Sequence, residues 1–180
     1  VCWLPKIIAE FSNEYPNISI DVSVGTYKTI EDMIIAEEVD CGFMSGTMRK
    51  ELKFVPLCVD RMLALVPPKL LPSGCKTLPL EAISDIDFII PGEGSNYDIG
   101  RILRTAGVRP RVKYSVSDDY AAVAMAEGGL GMTIVPELIL KGIGGNRAAV
   151  ELEPACTRTI GIAERSIGTG SPACAAFMLS

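Results

Sequence analysis

Two hydrophobic periods alternate along this chain. Leu4, Ile7, Ile8 and Phe11 keep an i, i+3, i+4, i+7 spacing, which predicts a helix from Leu4 to Tyr15. Pro5 suits a first helical turn, and Pro16 follows the end. From Asn17 to Val24 the period becomes two. Ile18, Ile20, Val22 and Val24 fall on one face, and Ser19, Asp21 and Ser23 on the other, predicting a strand with one exposed face. Gly25-Thr26 ends it, and a helix is expected from Lys28 to Glu38 with Ile30, Met33 and Ile34 inward. DCGFM, Asp40 to Met44, predicts a short buried parallel strand.

After a polar loop, FVPLCV and MLALVP read as two β runs separated by Asp60-Arg61, and Pro67 to Pro79 as an irregular connection. A short helix at Leu80 to Ser84 leads into the strand DFIIP. PGEGSN then opens a helix from Tyr97 to Ala106 that stops at Gly107. RVKYSV is a strand, Asp118 to Glu127 a helix, GMTIVP a strand and PELILKG a helix. Two strands, AAVELEP and TRTIGIAER, and a helix beginning near Ser171-Pro172 complete the pattern. Strands alternating with helices point to an α/β chain with parallel sheets covered on both faces. The helix-free β runs near 60 and 160 read as two crossings between lobes, one formed by 1–64 and 157–180 and the other by 65–156.

Composition narrows the function classes. At 180 residues a chain buries roughly 70% of its unfolded surface, so a core needs neither disulfide nor metal. Seventeen Lys and Arg against 22 Asp and Glu give a net charge of -5, which repels nucleic-acid phosphates. With no histidine, Ser-His-Asp and Cys-His nucleophiles, His-ligated zinc and a histidine pH switch are excluded. Six cysteines at 2, 41, 58, 75, 156 and 174 form no CxxC. Buried reduced thiols are expected, above all Cys41, Cys58 and Cys156 in or beside apolar runs; a disulfide or redox pair and a metal cluster are the alternatives. No apolar run reaches 18 residues, and VCWLPKIIAEF lacks the order of a signal peptide. A soluble cytoplasmic chain without a membrane segment is therefore expected.

Six segments in order carry a resemblance: LPKIIAEFSNEYPNISIDVSVG, EEVDCGFMSG, FVPLCVDRMLALVPP, FIIPGEGSNYDIGRILRTAGVRP, DDYAAVAMAEGGLGMTIVPELIL and TRTIGIAER. Together they resemble the effector-binding domain of LysR-type transcriptional regulators almost end to end. The resemblance implies two Rossmann-like lobes joined by two crossover strands, as in type 2 periplasmic binding proteins. It further implies a small effector between the lobes, a carboxylate or other anion, and no cofactor or metal. Homodimerisation through these domains is implied, with tetramers open to the full-length protein, and DNA binding belongs to a preceding winged helix-turn-helix domain. In the family a strand and a Ser- or Thr-bearing loop precede the first helix, whereas here the sequence starts on the helix approach.

Open α/β sheets bind ligands beyond the carboxyl ends of their strands, where helices begin. Gly25-Thr26, Ser45-Gly46 and Gly94-Ser95-Asn96 are such points, where backbone N–H groups and hydroxyls suit an anion. N-capping alone is the competing role for Thr26, Ser45, Ser95 and Asn96, exposed capping at a helix start for Asp118 and Asp119, and core packing for Met132. With the resemblance, the effector-contacting set is Cys2, Thr26, Ser45, Ser95, Asn96, Asp118, Met132 and Thr133. Arg158 is a counter-charge candidate whose competing role is a surface arginine. GEGSN lacks both a P-loop Lys and GxGxxG spacing, so nucleotide binding is not expected. Peroxide-sensing relatives carry a cysteine near the Asn96 position, and none stands there. A solute-binding protein of a transport system with this fold is the alternative function. An enzyme on the same scaffold would need a reactive group that the sequence does not nominate.

Overall fold

The computed structural model describes residues 4–46, 49–71, 74–143, 149–165 and 171–179. Its regular elements are α1 (Leu4–Glu14), α2 (Tyr27–Ile35), β1 (Gly42–Met44), β2 (Leu52–Leu65), β3 (Thr77–Pro79), β4 (Asp87–Ile90), α3 (Glu93–Ala106), β5 (Arg111–Ser115), α4 (Asp119–Glu127), β6 (Thr133–Pro136), α5 (Glu137–Ile143), β7 (Ala149–Arg165) and α6 (Pro172–Leu179). Short 3-10 turns occupy Pro68–Leu70 and Leu80–Asp85. The chain separates into two compact units, Val1–Val59 with Thr159–Ser180, and Asp60–Arg158. β2 and β7 each run from one unit into the other.

In the first unit, α2 buries Ile34 against Met44, Leu52 and Ala163. β1 lies antiparallel to β7, with Gly42 opposite Ala163 and Met44 opposite Gly161. Phe11 of α1 is 2% exposed; it stacks on Tyr15 and meets Phe177 of α6 edge-on at 5.2 Å. The second unit has a larger core. Met62, Ala64, Phe88, Ile99, Met132, Ile134 and Leu152 pack into one cluster, and Leu65, Ile89, Ala122, Val123, Ala126 and Val135 into another. β6 runs antiparallel to β2, β3 parallel to β7, and β4 parallel to β5. Met132 bridges Phe88, which carries β6 onto β4.

Several expectations need correction. Residues 18–26 form no strand. The backbone keeps half-buried Ile18 and Ile20 between exposed neighbours, but Val22 and Val24 are 58% and 91% exposed. Alternation supplies a face, whereas a strand also needs a hydrogen-bonding partner, and no described strand pairs with this segment. The DCGFM strand is antiparallel rather than parallel. FVPLCV and MLALVP form one 14-residue strand, because Asp60-Arg61 turns one charge inward and one outward without breaking the ladder. AAVELEP and TRTIGIAER are likewise one strand. α3 begins at Glu93, four residues earlier than Tyr97, with Gly92 as N-cap. Cys58 is exposed and Cys41 and Cys156 are half-buried; among the described residues the buried cysteine is Cys174.

Gly92 is fixed by proximity. A Cβ placed there would lie 1.8 Å from the Ser117 carbonyl oxygen, because parallel β4 and β5 deliver the starts of α3 and α4 side by side. A backbone atom has little room to yield. Gly92→Ala is therefore expected to cost about 1–3 kcal/mol or more, read as a lower urea midpoint with an unchanged m-value.

Candidate functional site

The second unit brings its sequence candidates together at the carboxyl ends of β4 and β5. The Val116 N–H donates to the Ile90 carbonyl at 3.1 Å, so both chains leave the pair at the same edge, and α3 and α4 start there. Ser95, in the first turn of α3, is 3% exposed. It faces Asp119, in the first turn of α4, and its hydroxyl pulls that carboxyl's pKa downward. Asp118 is the α4 N-cap, accepting from the Ala121 N–H at 2.8 Å. Its carboxylate thus does the capping work, with the Ser117 hydroxyl 3.5 Å away.

Asp119 is the unusual member. Its Oδ1 is buried with no hydrogen-bond partner. Burial pushes its carboxyl pKa upward, and the Asp118 charge adds to this; the Ser95 hydroxyl and the Arg158 charge pull the other way without cancelling it. The group can take up a proton, or accept a hydrogen bond from a donor brought to it.

Behind this edge lies a buried charge cluster. Arg158, 9% exposed, faces Asp60 at 2% and Asp98 at 0%. Its Nε and Nη2 each reach Asp60 Oδ2 at 3.0 Å, and its Nη1 reaches Asp98 Oδ2 at 3.5 Å. Asp60 Oδ1 accepts from the Leu138 N–H at 3.1 Å, anchoring the start of α5. Arg101 approaches the other Asp98 oxygen at 3.5 Å. Arg158 is therefore not a surface arginine, and its guanidinium is already held by two carboxylates.

Other candidates lie elsewhere. Asn96 is exposed in the first turn of α3. Since Gly92 caps that helix, neither Ser95 nor Asn96 is its N-cap. Met132 and Thr133 are 0% exposed; Met132 packs in the core, and the Thr133 hydroxyl turns to the Ile134 carbonyl at 3.4 Å. In the first unit Thr26 caps α2, accepting from the Thr29 N–H at 3.1 Å. Ser45 is half-buried directly after β1. Cys2 lies outside the described residues. A separate cavity of about 410 Å³ is lined by Arg101, Thr105, Cys156 and Thr157 among others, and holds none of the sequence candidates.

Asp60, Asp98 and Asp119 were not foreseen as a set with Arg158. An acidic residue inside an apolar run, as in VDRMLAL, is a signal for a paired buried charge. Its partner 98 residues away leaves no local trace. Among the described residues no group of three or more Cys, Asp or Glu could hold a metal.

The LysR substrate binding domain family matches residues 1–179. The chain belongs to that family. Among curated relatives, the HTH-type transcriptional regulator CysL of Bacillus subtilis is 21% identical over 77% of this chain and 47% of its own length. YvbU of the same organism, an uncharacterized HTH-type transcriptional regulator, is 22% identical over 98% of this chain and 61% of its own. The chain thus spans roughly half of these relatives. Of solved structures, the effector-binding domain of QuiR in complex with shikimate has a TM-score of 0.84 at 21% identity, covering 97% of this chain and 86% of that one. The Synechocystis PCC6803 CcmR regulatory domain in complex with 2-PG has a TM-score of 0.87 at 18% identity, covering 98% and 90%. The fold is that of LysR effector-binding domains: α/β, with two Rossmann-like lobes joined by two crossover strands, like type 2 periplasmic binding proteins.

Removing one partner of a buried charge cluster strands the others. Arg158→Met is expected to cost about 3–5 kcal/mol in equilibrium unfolding. Arg158→Lys should recover only part of it, because one ammonium cannot reproduce the planar fork between Asp60 and Asp98.

Proposed function

We propose that this chain is the ligand-sensing domain of a LysR-type transcriptional regulator. It binds a small anionic effector and thereby controls how the full-length, cytoplasmic protein binds DNA and directs transcription. DNA contact belongs to a separate helix-turn-helix domain, the effector domains pair as homodimers, and the chain is not an enzyme. Family membership over residues 1–179 and regulators as curated relatives support this reading over a transport solute-binding protein.

The observation that carries effector binding is the buried Asp119 oxygen without a donor, set beside Ser95 where two helices begin. A native fold tolerates such a group at a cost of about 1–3 kcal/mol, and a ligand hydroxyl would relieve it. With Arg158 engaged by Asp60 and Asp98, recognition of the effector's anionic group in the second unit falls to backbone N–H groups where α3 and α4 begin and to the Ser95 hydroxyl. The effector is thus a hydroxyl-bearing small anion. Shikimate and 2-PG, bound by the QuiR and CcmR domains, are the natural first probes. Binding shifts the regulator only as far as the effector prefers one of its states.

Asp119→Asn is expected to raise Tm at neutral pH, since it removes a desolvated charge. The raised native pKa means the parent loses stability as pH rises through it, so the gap between variant and parent should close as pH falls toward 3.8, the ordinary Asp value. A melting series from pH 4 to 8 reads this; a variant less stable than the parent at every pH would assign Asp119 a structural role.

A melting screen with shikimate, 2-PG, other small carboxylates, sulfate and phosphate tests the function. A true effector at 100 times its Kd should add about 2.7 kcal/mol, and Ser95→Ala should abolish the shift. No shift with any compound, on this chain and on the longer gene product alike, would refute small-anion sensing.

A further inference from the structure

The cavity of about 410 Å³ in the second unit is within the size range of small-molecule sites, ~300–1,000 Å³. Its lining joins an apolar surface to two opposite charges. Leu80 and Ile102, 3% and 8% exposed, reach it from the core, with Ala106 and Pro154 beside them. Arg101 enters from α3 and Glu81 from the 3-10 turn Leu80–Asp85. The Arg101 side chain is 49% exposed, and it meets Asp98 and the Thr157 carbonyl through Nη2 alone, at 3.5 and 3.4 Å. Those distances are at the outer limit of hydrogen bonding. Among the described residues its Nε and Nη1 make no hydrogen bond, and the Glu81 carboxylate has neither a hydrogen bond nor an ion pair. Arg158 is committed to its own aspartates, whereas this cation and this anion stand open on one cavity.

We propose that the cavity is a second small-molecule site, and that it takes a free α-amino acid with an apolar side chain. The carboxylate pairs with Arg101, whose unused N–H donors suit a planar two-oxygen partner. The ammonium pairs with Glu81, and the side chain covers Leu80, Ile102, Ala106 and Pro154. A plain carboxylate of the same shape would meet repulsion from Glu81, and a plain amine repulsion from Arg101; a zwitterion answers both charges. The last turn of α3, which holds Thr105 and Ala106 at the cavity, also favours a positive group. The lining includes none of Ser95, Asp118 and Asp119, so this site stands apart from the edge where α3 and α4 begin.

Cys156 gives the test a reporter at the site itself. Its thiol is half-buried, lines the cavity and donates to the Pro154 carbonyl at 3.3 Å. Burial raises its pKa against the pull of the Arg101 charge, so alkylation by iodoacetamide is slow and can be timed by peptide mapping. L-leucine is the probe. It should slow alkylation of Cys156 saturably and leave the exposed Cys58 of the first unit unchanged. Isocaproate, which lacks the ammonium, isoamylamine, which lacks the carboxylate, and glycine, which lacks the side chain, should each protect about tenfold less well. Arg101→Gln and Glu81→Gln, each checked as folded by circular dichroism, should each raise the leucine midpoint about tenfold. A Cys156 rate untouched by leucine at any soluble concentration, equal protection by isocaproate or isoamylamine, equal slowing at Cys58, or an unmoved midpoint in either variant would overturn the proposal.

Discussion

The contact between Arg158 and Asp60 organises much of what surrounds it. Asp60 is the first residue of the second unit and Arg158 the last, so a single buried ion pair clasps the chain where it enters and where it leaves. Desolvating both charges is expensive, and attraction alone seldom offsets that cost. Here the remaining hydrogen-bonding capacity is used as well. The second Asp60 oxygen holds the start of α5, and the guanidinium extends to Asp98 in α3. Two strands and two helices are thereby referred to one planar group. That arrangement specifies geometry more than it supplies stability, and it commits Arg158 before any ligand arrives.

The edge where α3 and α4 begin shows the opposite economy. Parallel β4 and β5 force the two helix starts so close that Gly92 has no room for a side chain. The same closeness brings the Ser95 hydroxyl to Asp119. The packing that excludes a side chain at Gly92 thus also sets the place of Asp119, whose Oδ1 stays without a hydrogen-bond partner. Two buried apolar clusters, one including Phe88 and the other Ile89, pack around β4 next to it.

Sequence patterning reached the fold class, the family and most elements of the second unit, because the helical and strand periods there are set by burial on one face. Ser95 and Asp118 were found from helix-start chemistry, and Asp118 does cap α4. The failures have physical causes. The alternation of 17–24 predicts a strand, but pairing is a property of two segments and cannot be read from one. Asp60-Arg61 looks like a turn in sequence and sits within a ladder, because a buried partner on one face and carboxylates on the other satisfy the two charges; Arg61 reaches Glu137 at 2.8 Å and Glu151 at 2.5 Å. Met132 takes the core-packing role that its sequence context also offers, and Thr133 is buried next to it. Asp119 reads in sequence as an exposed helix-start carboxylate like Asp118, because an orphaned buried oxygen exists only in three dimensions.

The two units also differ in how the chain composes them. Residues 60–158 form one uninterrupted stretch, while the first unit joins residues 1–59 to residues 159–180. β1 has no partner until Gly161 to Ala163 arrive, and Phe11 lacks Phe177 until later still. During synthesis at ~5–20 residues per second, the second unit can fold as soon as it clears the ribosome. The first must wait several seconds with Phe11, Ile34 and Met44 uncovered. The interval most open to aggregation and chaperone capture therefore belongs to residues 1–59, and it closes only when β7 and α6 emerge.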